Sequence, residues 1–226
     1  EKLATNELRK DALEILEAGL EAINTEKILK NKIRIENGIL YIKNGEEETS
    51  VSLPSPDQGE GHAQARGGVV FVGIGKCALD GARVIEEILS DYLTAGIALD
   101  VRDSSESKLN KIIYRQGTHP LPSEQNISAT KEILKMVENL TEKDLVICLI
   151  SGGGSALFEL PMSRFNLDTI IEKTKELTAR GADIYELNTV RKEMSQVKGG
   201  KFAEICSPAQ VVSLLFSDVL GNDISV

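Results

Sequence analysis

Short runs of consecutive apolar residues recur between stretches whose apolar residues have helical spacing. Gly68 to Gly73 (GVVFVG) and Asp144 to Ile150 (DLVICLI) are the clearest, with Ala95 to Val101, Lys111 to Arg115 and Val211 to Phe216 (VVSLLF) as further strand candidates. A strand that is apolar on both sides must be covered on both sides, unlike the alternating strand of a half-wet sheet. Alternation of such runs with helices predicts an α/β fold with a mostly parallel sheet between two helical layers. The helices are expected over Gly75 to Ser90, Glu124 to Leu140, Leu167 to Arg180, Ile184 to Gln196 and Gly199 to Ile205.

The first forty residues follow another pattern. Leu8, Ala12, Ile15, Leu16, Leu20 and Ile23 lie at helical spacing and predict an amphipathic helix over Leu3 to Ile23, with a shorter one over Glu26 to Lys30. Residues Ile33 to Ile42 alternate around Asn37-Gly38, the signature of a β-hairpin with a type I′ turn. Residues 43 to 67 are polar, carry Pro54 and Pro56, and read as a loop. A chain of 226 residues suffices for one large α/β domain, or for a domain with a small satellite.

Charge and cysteine usage exclude several classes. A formal net charge of −9 argues against a nucleic-acid partner or an anionic membrane surface. Cys77, Cys148 and Cys206 are scattered, without metal-ligand spacing, as expected of buried thiols in a reducing compartment. No apolar run approaches the roughly 18 residues of a membrane span, so the expectation is a cytoplasmic protein without membrane partners.

In open parallel sheets, ligands gather beyond the carboxyl ends of the strands. Three such ends carry related chemistry. After GVVFVG comes Gly73-Ile74-Gly75-Lys76, a sharp turn that exposes amides and puts a cation in a first helical turn, where an anion would be its natural neighbour. It is not a phosphate-binding Walker loop, because Cys77 stands where Ser or Thr belongs. After DLVICLI comes Ser151-Gly152-Gly153-Gly154-Ser155, whose three glycines suit a backbone nest around an anion; a merely flexible loop is the alternative. After VVSLLF comes Ser217-Asp218, where the carboxylate can bind Mg²⁺ or accept a proton, or simply open a turn.

Between the last two lies a basic segment with Arg191, Lys192, Lys198 and Lys201, interrupted by Gly199-Gly200. Helical spacing would bring Arg191, Ser195 and Lys198 to a common face, as charge complement to a polyphosphate or as a solvated basic surface. His119, in Gly117-Thr118-His119-Pro120-Leu121-Pro122, lines a site or packs a rigid turn. His62 lies in the polar loop, and no Ser/His/Asp or Cys/His arrangement emerges from these two histidines.

Taken together, GIGK at 73–76, GTHPLP at 117–122, LISGGGSAL at 149–157, ELNTVRKEMSQVKGGKFAE at 186–204 and SDVLGND at 217–223 resemble the successive signatures of class II glycerate kinases. The resemblance covers at least residues 68 to 226. It implies a Rossmann-like three-layer αβα sandwich across a cleft from a smaller C-terminal MOFRL domain. That makes this chain the N-terminal domain over 1–226, with its own C-terminal domain as a partner absent here. It implies phosphorylation of D-glycerate to 2-phosphoglycerate with ATP and Mg²⁺. Lys76 and Asp218 would be the family's active-site Lys and Asp, with Arg191 as a further catalytic cation and Asp218 as metal ligand. Ser151, Gly152, Gly153, Gly154, Ser155, Lys198, Gly199 and Gly200 would hold the nucleotide phosphates, and Gly75 and His119 the substrate. Leu220 stands where Pro is common in the family. Two alternatives stay open: a hydroxypyruvate reductase, with Asp100 or Asp103 on the ribose, and a non-catalytic domain that binds a nucleotide or sugar phosphate. A homodimer is compatible with the sequence and not specified by it.

Overall fold

The computed structural model describes residues 6–55, 67–103 and 108–217, in two compact units divided after Ser52. In the first unit, α1 (Glu7–Ala22) starts where the Asn6 side chain accepts a hydrogen bond from the Arg9 amide at 2.9 Å. No residue of α1 is buried, and its apolar stripe of Leu8, Ile15, Leu16 and Leu20 is exposed. The shorter α2 (Thr25–Lys32) follows, capped by Asn24. Strands β1 (Ile33–Glu36) and β2 (Ile39–Asn44) pair antiparallel across Asn37 and Gly38, whose φ angles of 52° and 75° are both positive, as a type I′ turn requires. The polar stretch after Lys43 is not all loop. Glu47–Ser52 forms β3, antiparallel to β2. Only Val51 of β3 is buried, so its sequence lacks the apolar alternation that would announce a strand.

The second unit contains β4 (Val69–Ile74), α3 (Ala78–Leu89), β5 (Leu93–Asp100), β6 (Ile112–Gln116), α4 (Glu124–Val137) and β7 (Leu145–Ser151). These are followed by α5 (Gly154–Leu157), α6 (Leu167–Ala179), α7 (Ile184–Met194), α8 (Lys201–Cys206) and β8 (Gln210–Phe216). All five strands are parallel, in the order β6-β5-β4-β7-β8. Val69 and Phe71 are buried on the face that α3 covers. Val70, Val72 and Ile74 point the other way, into a cluster with Ile133 of α4 and Phe202 and Cys206 of α8. The expected helix–sheet–helix layering is therefore present, and it is Rossmann-like.

The chain builds outward from β4 through β5 to β6, then returns to lay β7 against the opposite edge of β4. This reversal makes the carboxyl ends of β4 and β7 the switch point of the sheet, where ligands settle in open α/β folds. One predicted element is shorter than its apolar pattern implied. Helix α7 stops at Met194, and Ser195 is extended at φ −109° and ψ 143°. Arg191, Ser195 and Lys198 therefore do not share a helical face.

Among the described residues, no helix is long and apolar enough to cross a membrane. Leu149 of β7 is fully buried, and α3 approaches it so closely that a Cβ on Gly81 would lie 2.7 Å from its Cδ1. Leu149→Ala is expected to cost about 2–5 kcal/mol of stability, because so close a helix cannot collapse into the void. A lowered urea midpoint checks it.

Candidate functional site

Register places the site. Ile74 pairs with Ile150, so Gly75 and Lys76 leave the sheet beside Ser151 and Gly152. The Lys76 amide donates to the Gly152 carbonyl at 2.9 Å, and the Cys77 amide donates to Ser151 Oγ at 3.2 Å. Gly75 has φ +119°, and a Cβ there would sit 2.6 Å from the Ser151 carbonyl oxygen, so two main chains touch where a side chain cannot fit. Ser151 thus knits the strand ends together, while the exposed Ser155 faces the open side.

The triple-glycine turn then meets both functional side chains expected near it. Gly153 is left-handed at φ +86°. A Cβ on Gly153 would lie 3.2 Å from His119 Cδ2 and 3.3 Å from Lys76 Cε. Lys76 and His119 therefore flank the same turn from two different strand ends. Partial burial lowers the His119 imidazole from its ordinary value, and the positive charges of Lys76 and then Arg191 lower it further. Arg191 is thus a second cation within electrostatic reach of the same spot.

The first turn of α3 is a less open anion site than its sequence implied. Asp100, fully buried, accepts the Leu79 amide at 3.0 Å and the Val101 amide at 2.7 Å, and its carboxylate also holds Arg102. That carboxylate already offsets the positive end of α3. The turn at 151–155 is different: no side chain caps α5 at Gly153.

Beyond that turn opens a cavity of about 700 Å³. Its lining includes the apolar Ile150, Phe158 and Val211, with Ser155, Arg191 and Gly200 as polar and backbone elements. Burial pushes the lining thiol of Cys148 up to about 12, so it stays protonated and unreactive. Gly199 and Gly200, at φ +66° and +88°, make the turn that leads into α8 along the same wall. Burial lowers the half-buried Arg191 guanidinium from its ordinary value, opposed by the charge of Glu159. Arginine remains charged even so.

The expected site residues are not all employed alike. Lys76, His119, Gly153 and the turn around them come together, with Arg191 and Gly199-Gly200 along the cavity. Lys198 also lines the cavity, but its ammonium is already engaged, donating to Glu159 Oε2 at 2.6 Å and to the Phe158 carbonyl at 2.7 Å. Lys201 likewise donates to the carbonyls of Lys192 and Ser195, each at 2.6 Å. Asp218 and His62 lie outside the described residues. Among the described residues, no group of three His, Cys, Asp or Glu side chains could hold a metal.

Sequence reasoning missed Asn126. Fully buried, it accepts the Thr118 amide at 2.9 Å and donates to the carbonyls of Thr118 and Ala156, each at 2.9 Å. It therefore ties the His119 turn to α5 and hence to the triple-glycine turn. The available signal was an Asn on the same helical stripe as Thr130, Ile133 and Val137, all buried.

These features define a class: a doubly wound α/β protein whose switch-point crevice brings cations beside a glycine turn. A family model described as a domain of unknown function (DUF4147) matches residues 11–226, and the chain belongs to that family. It is 42% identical over 158 residues to a D-glycerate 2-kinase of Thermotoga maritima, covering 70% of this chain and 38% of that protein. It is 34% identical over 227 residues to a glycerate 2-kinase of Picrophilus torridus, covering 99% of this chain and 48% of that protein. A solved structure from Pyrococcus horikoshii superposes with a TM-score of 0.78 at 31% identity, over 97% of this chain and 46% of that one. The chain thus spans about half the length of these relatives, or less.

The proximity of Lys76 and His119 can be read directly. Folding favours the neutral imidazole, so this stabilisation is present above pH 6.5 and is lost as pH falls below it. In Lys76→Ala the His119 midpoint, followed by proton NMR, is expected to move up toward 6.5. An unmoved midpoint would separate the two groups. Asn126→Ala is expected to cost at least about 2 kcal/mol, since it strands several buried partners at once. Thermal denaturation measures it.

Proposed function

We propose that the chain is the nucleotide-handling part of a glycerate 2-kinase, which transfers a phosphoryl group from ATP to D-glycerate and yields 2-phosphoglycerate. The observation that carries this reading is the meeting of Lys76, His119 and the triple-glycine turn at the switch point of the sheet. It stands in a chain 34–42% identical to proteins named glycerate 2-kinase. Phosphoryl transfer asks a protein mainly for positioning and for neutralisation of charge, which such a crevice offers.

In this reading the nucleotide lies along the cavity, its base over the apolar lining and its phosphates toward the amides of 152–155 and the turn at Gly199-Gly200. Lys76 and Arg191 neutralise charge on the transferred group, and His119 and Gly75 border the acceptor. Asp218 serves the Mg²⁺ that accompanies ATP. Such an ion keeps most of its ligands from phosphate and water, so one or two carboxylates suffice in place of a protein cage. The resemblance supplies the remaining wall as a smaller C-terminal domain, and we place the reaction in the cytoplasm, consistent with three free thiols.

The reductase alternative is disfavoured by one observation: Asp100 is consumed inside the protein rather than offered to a ribose.

Lys76→Ala in the full-length protein is expected to lower kcat for glycerate phosphorylation about a hundredfold to a thousandfold, with the melting temperature nearly unchanged. Full turnover in a coupled ADP-release assay would remove Lys76 from the mechanism. Gly153→Val, which adds bulk to a left-handed residue facing Lys76 and His119, is expected to abolish ATP binding in calorimetry.

A further inference from the structure

The buried pair of Glu159 and Lys198 has no part in the chemistry above. Glu159 is 2% exposed and the Lys198 side chain 11%, and their charged atoms meet at 2.6 Å. Glu159 Oε1 is buried without a hydrogen-bond partner among the described residues. Removing two charges from water costs several kcal/mol per ion, and an apolar pair of equal volume often serves stability as well or better. Stability alone is therefore a poor account of the pair.

Its location offers a better one. Glu159 follows Phe158, the residue that closes α5, the short helix begun by the triple-glycine turn. Lys198 opens the Lys198-Gly199-Gly200 turn that leads into α8. The Lys198 ammonium bonds the Phe158 carbonyl as well as Glu159, so it joins the two turns directly. Neighbouring backbone bonds extend the seam. The Gln196 amide donates to the Leu160 carbonyl at 2.8 Å, and the Met162 amide to the Met194 carbonyl at 2.8 Å. Lys201 completes it by holding the carboxyl end of α7, the helix that carries Arg191. The Glu159 charge also acts on Arg191, where it opposes the cost of burying the guanidinium.

We propose that Glu159 and Lys198 are positioning residues of the polyanion site: they fix the spacing between the triple-glycine turn, the Gly199-Gly200 turn and Arg191, and neither side chain touches phosphate. The proposal rests on the kinase reading of the same crevice. It gives Lys198 a different task from direct phosphate binding, and it makes Glu159, an acidic residue beside an anion site, necessary for anion binding.

The test compares Glu159→Gln, Lys198→Met and the double variant Glu159→Gln/Lys198→Met in the full-length protein. The readouts are melting temperature, KM for ATP and kcat with D-glycerate, and ADP affinity by calorimetry. Each single variant is expected to lower the melting temperature and to raise KM and the ADP dissociation constant by about tenfold to a hundredfold, as displacement of a binding group by an ångström does. The double variant buries no unpaired charge, so its melting temperature returns toward wild type while KM stays raised. Recovery of both quantities in the double variant would reduce the pair to a structural role and overturn the proposal. Weakened ATP binding in Lys198→Met with unchanged or tighter binding in Glu159→Gln would make Lys198 a phosphate ligand and overturn it too. Wild-type protein that neither binds ADP nor phosphorylates glycerate would overturn the kinase reading itself, and this proposal with it.

Discussion

The parallel pairing of β4 with β7 is the constraint on which the site depends. Six residue pairs, from Val69 with Leu145 to Ile74 with Ile150, bring two strands distant in sequence into one register. That register sets Gly75 against Ser151 and aims both following turns in the same direction. The contact between the two main chains is too close for a side chain at Gly75. A slip of one residue would turn each apolar position of β7 to the wrong layer, so the packing of both helical layers also guards the geometry of the crevice.

Charge in the second unit is divided by location rather than by residue type. Lys76, at a strand end, is exposed and stands over the glycine turn. Arg102 is tied to Asp100 and Asp80 at the rim of the sheet. Lys198 and Lys201 are spent on a buried carboxylate and on carbonyls. The basic segment in a chain of net charge −9 thus resolves into Arg191 and Lys192, which line the cavity, and Lys198 and Lys201, whose ammonium groups hold its wall together.

The site also depends on a neutral polar residue. Asn126 links the turn carrying His119 to the helix that follows the glycines, and all of its amide's bonds are local to that junction. A buried amide with every partner satisfied fixes direction as well as distance, which an apolar contact does not. Asn126 thus fixes the His119 side of the crevice through its bonds to Thr118 and Ala156.

Much of this was legible in order along the chain. Apolar runs at GVVFVG, DLVICLI and VVSLLF announced buried parallel strands, Asn37-Gly38 announced a hairpin, and the glycine turns at strand ends announced the crevice at the switch point. These signals are local: hydrophobic periodicity and backbone permission act on neighbouring residues, so they can be read without coordinates. The strand Glu47–Ser52 was hidden because it pairs through its backbone and buries only Val51. The employment of Lys198, the cap that Asp100 places on α3 and the junction made by Asn126 were decided by tertiary structure alone. Each joins residues at least 8 positions apart, and as many as 39, and a charge on a sequence does not disclose which partner will reach it first.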